Sequence, residues 1–240
     1  ISHSNSTFIN DILFITDNLV LEIRENGLPE IRIYNLKSNK EINIEFDDNA
    51  YDVSLAYNNE LDGNSFNYYY SSLTTPPRVL SYDLETSITQ ELWSKDIVSF
   101  NRNDYVDDRF FIESRDGTQI PIITIAHKNT NLKEAPILFY GYGSYGINID
   151  ASFRSSLIPL LDRGFIFSII NIRGGGEMGK HWYEEGRMLN KLNTFYDFND
   201  GVRAVLRKDI GSSNNVFARG GSAGGLLMGG IINMEPELYS

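Results

Sequence analysis

The sequence contains no cysteine. This absence excludes disulfide bridges and thiolate metal sites, and it fits a reducing compartment such as the cytoplasm. Histidine is scarce as well: His3, His127 and His181 are scattered along the chain, and none has carboxylates at the spacing of metal ligands. We therefore expect no structural zinc site.

Long apolar stretches are also missing. No run of about eighteen apolar residues is present, so we expect no membrane-spanning helix and no membrane partner. The first residues, ISHSNSTFIND, lack a basic stretch followed by an apolar block, and no signal peptide is predicted. These absences favour a cytoplasmic protein. Because the chain does not begin with methionine, we interpret it as an internal fragment of a longer protein.

Positive charge is scarce in the first part of the chain. Of the formal net charge of −11, −10 falls in residues 1–100 and −1 in residues 101–240. An acidic surface repels the phosphates of nucleic acid, so a nucleic-acid partner is not expected. The same charge could attract cationic ligands from a distance, or it could simply keep the protein soluble.

Residues 1–104 have the pattern of β structure. Apolar and polar residues alternate in residues 18–26 and again in residues 30–36, on either side of a break at Gly27, which indicates a hairpin. A similar arrangement recurs in residues 67–84, at an interval of about fifty residues, which is typical of a propeller blade with four short strands. Two unrelated hairpins are the alternative.

Strands alternate with helices in residues 105–240. The pair Asp116-Gly117 predicts the turn of a further hairpin. Three short apolar runs then predict buried strands, at residues 135–140, 165–172 and 216–219. A helical pattern follows each run, at residues 154–163, 194–208 and 222–234. This alternation predicts an α/β domain with a parallel sheet, whose ligands bind at the carboxyl ends of the strands.

The helix at residues 194–208 carries a start signal of its own. Thr194 is predicted as its N-cap, with Asp197 three residues later as a variant of the capping box. Apolar residues recur on one face of this segment at helical spacing, so we expect that face to pack against the sheet.

Ser222 lies among glycines between a predicted strand and a predicted helix. The pattern is the G-x-S-x-G of a nucleophile elbow, a tight turn that lifts the serine hydroxyl above the edge of the sheet. Such a turn needs residues without side chains, because the strand and the helix nearly touch. The glycines of the turn are Gly220, Gly221, Gly224 and Gly225. The N–H of Ala223, at the start of the helix, would point to where an oxyanion forms.

A glycine-rich turn that holds a phosphate is the alternative for this stretch. The dinucleotide-binding pattern G-x-G-x-x-G is not met by Gly220, Ser222 and Gly225, and the G-K-[ST] of a P-loop is absent. The elbow is therefore favoured, and no cofactor is predicted.

The segment YGYGSYG, residues 140–146, follows the first buried strand. Hydrolases of the lipase and esterase type place a loop of the H-G-G-G type there, which supplies a second oxyanion donor. No such motif occurs in this chain, and a tyrosine hydroxyl could supply the donor instead. A packed aromatic loop is the alternative.

These motifs together resemble one known family. The segments FYGYGSYG, LLDRGF, RGGGEMG, WYEEGR and GGSAGG resemble the prolyl oligopeptidase family of serine peptidases, and within it the oligopeptidase B branch. The resemblance implies the last blades of a β-propeller in residues 1–104 and an α/β-hydrolase domain in residues 105–240, truncated after the elbow. It also implies a serine-type oligopeptidase that hydrolyses short peptides after arginine or lysine.

The resemblance assigns roles to individual residues. Ser222 matches the nucleophile, and Tyr142 matches a tyrosine that forms the oxyanion hole with the N–H of Ala223. Tyr145 matches an aromatic residue that lines the substrate pocket. For the loop RGGGE we predict a structural role, with Arg173 and Glu177 paired locally.

The partners that a serine nucleophile needs are missing. A Ser–His–Asp triad in this fold runs in the order serine, aspartate, histidine, and no aspartate or histidine follows Ser222. His127 and His181 precede it, and we interpret both as surface or packing residues. We expect the aspartate and the histidine beyond residue 240, and we expect the chain alone to be inactive.

Three other functions remain as alternatives. A prolyl-specific oligopeptidase differs only in the side chain it reads. A carboxylesterase is disfavoured by the missing H-G-G-G motif. A non-catalytic binding module or pseudoenzyme would explain the absence of the triad partners.

Overall fold

A computed structural model describes residues 7–240. The chain divides into two compact units. The first extends to Phe100 and includes Asp150–Phe153, and the second comprises Asn101–Ile149 and Arg154–Ser240. The predicted domain boundary between residues 104 and 105 stays a prediction, and His3 lies outside the described residues.

The first unit consists of two antiparallel sheets of four strands each, in which every strand pairs with the next along the chain. The strands are β1 (Thr7–Ile15), β2 (Asn18–Glu25), β3 (Leu28–Asn35), β4 (Lys40–Asn43), β5 (Tyr51–Leu55), β6 (Ser65–Ser72), β7 (Arg78–Asp83) and β8 (Thr89–Ser94). This is the predicted pattern of propeller blades. The first strand of each sheet, β1 and β5, was not predicted from the sequence.

Inward-facing residues of both sheets form one core. It is rich in isoleucine and tyrosine and includes Ile31, Ile33, Val53, Phe66 and Tyr68. Because successive side chains of a strand point to opposite faces, the apolar alternation read from the sequence becomes this shared buried face.

The second unit contains a five-stranded mixed sheet in the order β13-β11-β12-β10-β9. Its strands are β9 (Tyr105–Glu113), β10 (Gln119–His127), β11 (Ile137–Tyr140), β12 (Ile166–Ile170) and β13 (Val216–Arg219). The predicted hairpin is β9–β10, which turns at Gly117 with a φ of +88°. Only β11, β12 and β13 are parallel, so the predicted parallel sheet is corrected to a mixed one. The β9–β10 hairpin, predicted as a separate feature, belongs to the same sheet because β10 pairs with β12.

The helices of this unit are α1 (Ile158–Leu161), α2 (Lys180–Glu184), α3 (Lys191–Arg207) and α4 (Ala223–Met234). The helix predicted at residues 154–163 shrinks to a 3-10 turn and the single turn of α1. Helices α3 and α4 pack with the sheet in a core that includes Phe139, Phe198, Val202 and Leu227. In the part of the chain that the structure describes, no helix combines the length and the apolar character needed to cross a membrane.

The predicted start of α3 is wrong. The helix begins three residues earlier, at Lys191, so Thr194 lies inside it and is fully buried. Its hydroxyl donates to the carbonyls of Arg173 and Gly186 rather than capping the helix. Threonine is a common cap because its hydroxyl oxygen can accept from the first backbone N–H groups of a helix. Here the hydroxyl is instead a donor to carbonyls of another segment.

Candidate active site

Ser222 occupies a sharp turn between β13 and α4. Its backbone has a φ of +53° and a ψ of −121°, a conformation that costs free energy for any residue with a Cβ. The helix starts at the next residue, and the serine side chain is exposed. The sequence predicted this turn, and an exposed serine at the start of a helix is the arrangement that an elbow requires.

Two of the four glycines at the turn are needed for close packing. A Cβ on Gly220 would lie 2.4 Å from the carbonyl oxygen of Gly224, and a Cβ on Gly224 would lie 3.2 Å from that of Gly141. A Cβ on Gly221 or Gly225 would meet nothing within 4 Å among the described residues. The prediction that all four permit close approach is therefore corrected to two.

The loop at residues 140–146 lies beside this turn. Strands β11 and β13 are parallel neighbours, and Tyr140 pairs with Arg219, so the loop and the serine turn leave the sheet at the same edge. A Cβ built on Gly224 would lie 3.5 Å from Cδ2 of Tyr142. The Tyr142 ring therefore packs against the first turn of α4, two residues from Ser222.

A backbone donor is available at the same place. The N–H groups of Gly224 and Gly225 donate to the carbonyls of Gly221 and Ser222. The N–H of Ala223 donates to no backbone or side-chain acceptor among residues 7–240. At the first position of a twelve-residue helix, such a group favours a negatively charged oxygen.

Tyr145 is less constrained. It also has a positive φ, +61°, and its side chain is 72% exposed. The structure thus leaves its ring available to a ligand. The predicted roles of Ser222, Tyr142, Ala223 and Tyr145 stay predictions.

The prediction that Arg173 and Glu177 pair with each other is wrong. The guanidinium of Arg173 binds both carboxylate oxygens of Asp197, at 2.8 Å and 2.6 Å, and it also binds Asp116 at 2.7 Å. Burial alone would lower the pKa of Arg173, but these carboxylates outweigh it and raise the pKa. Asp197 lies 24 residues along the chain, on α3, so no local pattern indicated the pair.

Glu177 has other partners. Its carboxylate accepts hydrogen bonds from the N–H of Ile149, at 2.9 Å, and from the side-chain amide of Asn171, at 3.2 Å. The glycines between Arg173 and Glu177 lie against the loop at residues 140–146, because a Cβ on Gly174 would lie 2.1 Å from the carbonyl oxygen of Gly143. The loop RGGGE thus packs directly against the backbone of the tyrosine-containing loop.

His127 does not lie at this edge of the sheet. It ends β10, which runs antiparallel to β12, and so it lies at the amino ends of the parallel strands. A pocket of about 430 Å³ opens there, lined by His127, Asn129, Asp162 and Gly164 among others. It is therefore separate from the Ser222 turn. His181 is exposed on α2 and is hydrogen-bonded to no carboxylate of residues 7–240.

Sequence reasoning missed Lys191, the first residue of α3. Its ammonium group donates to the carbonyl of Gly143 and, at 2.9 Å, to the hydroxyl of Ser144. Burial lowers the pKa of this lysine. Nothing in the local sequence distinguishes Lys191 from an ordinary surface lysine at a helix start.

Comparison with known proteins gives two family matches. The sequence model described as "Prolyl oligopeptidase family" matches residues 151–240, and that described as "Prolyl oligopeptidase, N-terminal beta-propeller domain" matches residues 1–95. Together the two matches fall on both units of the chain.

Individual relatives agree with these matches. The chain is 34% identical over its whole length to dipeptidyl aminopeptidase BI from Pseudoxanthomonas mexicana and covers 33% of that protein. It is 37% identical, over 71% of its length, to a prolyl endopeptidase from Dictyostelium discoideum and covers 23% of it. Oligopeptidase B from Leishmania major superposes on the whole chain with a TM-score of 0.91, at 30% identity and 35% coverage of that structure. The chain thus spans about a third or less of the length of these proteins.

Proposed function

The chain belongs to the prolyl oligopeptidase family, and from this membership we propose that it carries the nucleophile and the oxyanion hole of a serine peptidase. The proposed substrates are short peptides, cleaved after arginine or lysine. One observation carries the proposal: Ser222 is exposed in a strained turn at the carboxyl edge of the sheet, with the Tyr142 loop beside it.

The proposed reaction proceeds through an acyl-enzyme. Oγ of Ser222 attacks the carbonyl carbon of the scissile bond while a general base takes the hydroxyl proton. The negative charge that develops on the carbonyl oxygen is stabilised by the N–H of Ala223 and the hydroxyl of Tyr142. The amine leaves with the proton held by the base. Water then cleaves the ester and restores Ser222.

The reaction needs a base and a carboxylate that orients it. Among the described residues, neither His127 nor His181 fulfils this requirement, because the first lies at the opposite edge of the sheet and the second has no carboxylate partner. In the proposal, a histidine and an aspartate come from the part of the relatives' length that this chain does not span.

The preference for arginine or lysine is supported by the resemblance to oligopeptidase B, including the structural match to the Leishmania protein. A prolyl preference is the second candidate, because the chain is also similar to proteins named prolyl endopeptidase.

The test uses the full-length protein and a fluorophosphonate probe, which reacts with activated serines. We expect labelling of the wild type and no labelling of Ser222→Ala, because only this serine lies in the elbow. Ser213→Ala, which alters an exposed serine in the turn before β13, should label like the wild type.

Labelling that persists in Ser222→Ala would overturn the proposed nucleophile, and an unlabelled wild type would favour a pseudoenzyme. Wild-type enzyme that has not been treated with the probe is then given arginyl and prolyl chromogenic peptides and a short-chain acyl ester. Faster prolyl turnover would overturn the basic preference, and cleavage of the ester alone would indicate a carboxylesterase.

A further inference from the structure

The ammonium group of Lys191 is used in an unusual way. It donates to the carbonyl of Gly143 and to the hydroxyl of Ser144, the two residues that follow Tyr142. Among residues 7–240 it has no carboxylate within salt-bridge distance. A positive charge that is half-buried is thus bound only to neutral oxygens.

Partial burial of the Lys191 ammonium group costs free energy, because the group loses water from its hydration shell. An ammonium group is strongly hydrated, and its partial burial is unfavourable unless hydrogen bonds replace the lost water. Bonds from a charged donor are shorter and stronger than those between neutral groups, so these two contacts hold their acceptors firmly. The acceptors belong to the loop and not to another helix.

The same loop has a backbone that requires support. Gly143 and Tyr145 both have positive φ values, +63° and +61°. On its other side the carbonyl of Gly143 contacts Gly174, where a Cβ would lie only 2.1 Å away. Backbone of this kind persists only when its surroundings determine it. Among residues 7–240, Lys191 is the only charged side chain hydrogen-bonded to residues 142–146.

We propose that Lys191 is a positioning residue for Tyr142: by binding the carbonyl of Gly143 and the hydroxyl of Ser144, it holds the tyrosine-containing loop against the start of α4. This inference rests on the proposed function, since it concerns the oxyanion hole of the same site. Lys191 touches neither Ser222 nor substrate in this role and acts only through the loop.

The proposal predicts a particular kinetic effect. The oxyanion is absent from the bound substrate and forms in the tetrahedral intermediate and its flanking transition states, so a displaced donor lowers kcat and leaves KM nearly unchanged. A displacement of about 1 Å can cost about 10²-fold in rate, and we expect Lys191→Met to lower kcat roughly 10- to 100-fold. Lys191→Arg keeps a charged donor and should recover part of that loss.

The experiment measures kcat and KM of the full-length protein for Lys191→Met, Tyr142→Phe and the double variant. If Lys191 acts through Tyr142, the double variant should be no slower than Tyr142→Phe alone, which we expect to lose about 10²–10³-fold. Lys180→Met is the matched control, because Lys180 is exposed at the start of α2 and should leave kcat unchanged.

Two results would overturn the proposal. One is a kcat of Lys191→Met within twofold of that of Lys180→Met. The other is a double variant in which the two losses multiply, which would show that Lys191 acts independently of Tyr142. Fluorophosphonate labelling of Ser222 in the wild type tests the proposed function separately. If Ser222 is labelled but the kcat values of the variants contradict the role of Lys191, only the role of Lys191 is overturned.

A second variant covers the case in which Lys191→Met fails to fold. Ser144→Ala removes one of the two acceptors and leaves the lysine in place. We expect it to lower kcat by roughly 2- to 10-fold, the equivalent of one hydrogen bond. An unchanged kcat in folded Ser144→Ala would again contradict the proposal.

Discussion

Left-handed backbone angles occur at two kinds of position: hairpin turns, which both units contain, and loops at the carboxyl edge of the sheet in the second unit. In the first unit Asn26 and Gly27, with φ values of +50° and +81°, form the two-residue turn between β2 and β3. In the second unit Tyr145 and Ser222, at +61° and +53°, lie in loops at the carboxyl edge of the sheet. Turn residues of the first kind direct the chain into the next strand. Those of the second kind present a side chain at the cost of strain.

The ion pairs of the two units differ in how deeply they are buried and in how far apart their partners lie along the chain. Arg32 in the first unit binds carboxylates on its own and neighbouring strands, and its side chain is 16% exposed beside 30% for Glu25. Arg173 and Asp197 in the second unit are 4% and 0% exposed and come from different elements. The ion pairs of Arg32 therefore join strands that are neighbours along the chain, whereas the ion pair of Arg173 depends on the assembled sheet.

One segment of the first unit comes from a distant part of the chain. The segment Asp150–Phe153 belongs to this unit although it lies far along the chain. Asp150 accepts two hydrogen bonds from the guanidinium of Arg24, at 2.8 Å and 2.9 Å, and Ser152 donates to Asp52 at 2.6 Å. Polar side chains thus anchor a returning segment to sheets that otherwise pair only with sequence neighbours.

The largest expected effect comes from breaking the buried ion pair. Arg173→Met leaves the carboxylate of Asp197 buried without its main partner, and we expect it to lower the free energy of unfolding by about 3–5 kcal/mol. Arg32→Met in the first unit should cost about 1 kcal/mol or less, because its pair is partly solvated. Urea unfolding of the two variants measures the difference.

A double variant provides the control for this prediction. Arg173→Met combined with Asp197→Leu removes both charges and should recover part of the loss. Equal costs for the Arg173 and Arg32 variants would contradict the contrast between the units.

A smaller effect tests the strain at Ser222. Ser222→Gly permits the observed backbone without a Cβ clash, so it should be more stable than Ser222→Ala by about 1–2 kcal/mol. Gly27→Ala places a Cβ on a positive φ in the first unit and should destabilise by a similar amount. Thermal unfolding of the three variants checks both signs.

Substitutions at these two positions also separate effects on stability from effects on activity. Gly27→Ala should leave peptide turnover unchanged, whereas both Ser222 variants should lack it. If Ser222→Gly were no more stable than Ser222→Ala, the turn would not store strain.

The smallest effects concern pH. Burial would raise the pKa of Asp200, but hydrogen bonds from Arg115 and Arg203 outweigh it and lower the pKa below its ordinary value of 3.8. Its ionised form therefore stabilises the fold above about pH 4, and this contribution is lost as the pH falls further. Asp200→Asn should flatten the dependence of the unfolding free energy on pH below that point, by at most about 1.4 kcal/mol per pH unit.

Glu22 in the first unit should behave in the opposite way. Burial raises its pKa above the ordinary 4.5, although the N–H of Leu55 donates to it. Its contribution is present at low pH and is lost as the pH rises through the raised pKa, so Glu22→Gln should gain in relative stability there. Urea unfolding between about pH 2 and pH 7 measures both slopes. If the two substitutions changed the slope of unfolding free energy against pH in the same direction, the opposite pKa shifts of Asp200 and Glu22 would be contradicted.

Features with a local physical cause could be predicted from the sequence. The hairpin at Gly117 follows from the turn preference of Asp-Gly, and the elbow at Ser222 follows from glycines between an apolar strand and an apolar helix. Strand β1 escaped prediction because its alternation is incomplete, and β5, which alternates as YDVSL, escaped it because the run is only five residues long. The start of α3 was misplaced since Thr194 has the residue type of a cap but binds distant carbonyls.

Short-range patterns were enough to predict where the chain turns sharply and which serine that turn exposes, because backbone preferences and apolar periodicity act over a few residues. The contacts of Arg173 with Asp197 and of Lys191 with the carbonyl of Gly143 follow instead from the folded arrangement of distant segments. These partners lie 24 and 48 residues apart, and they come together only when parallel strands bring their carboxyl ends, and the helices that follow, to one edge. No short-range pattern encodes which charged side chain will find which acceptor there.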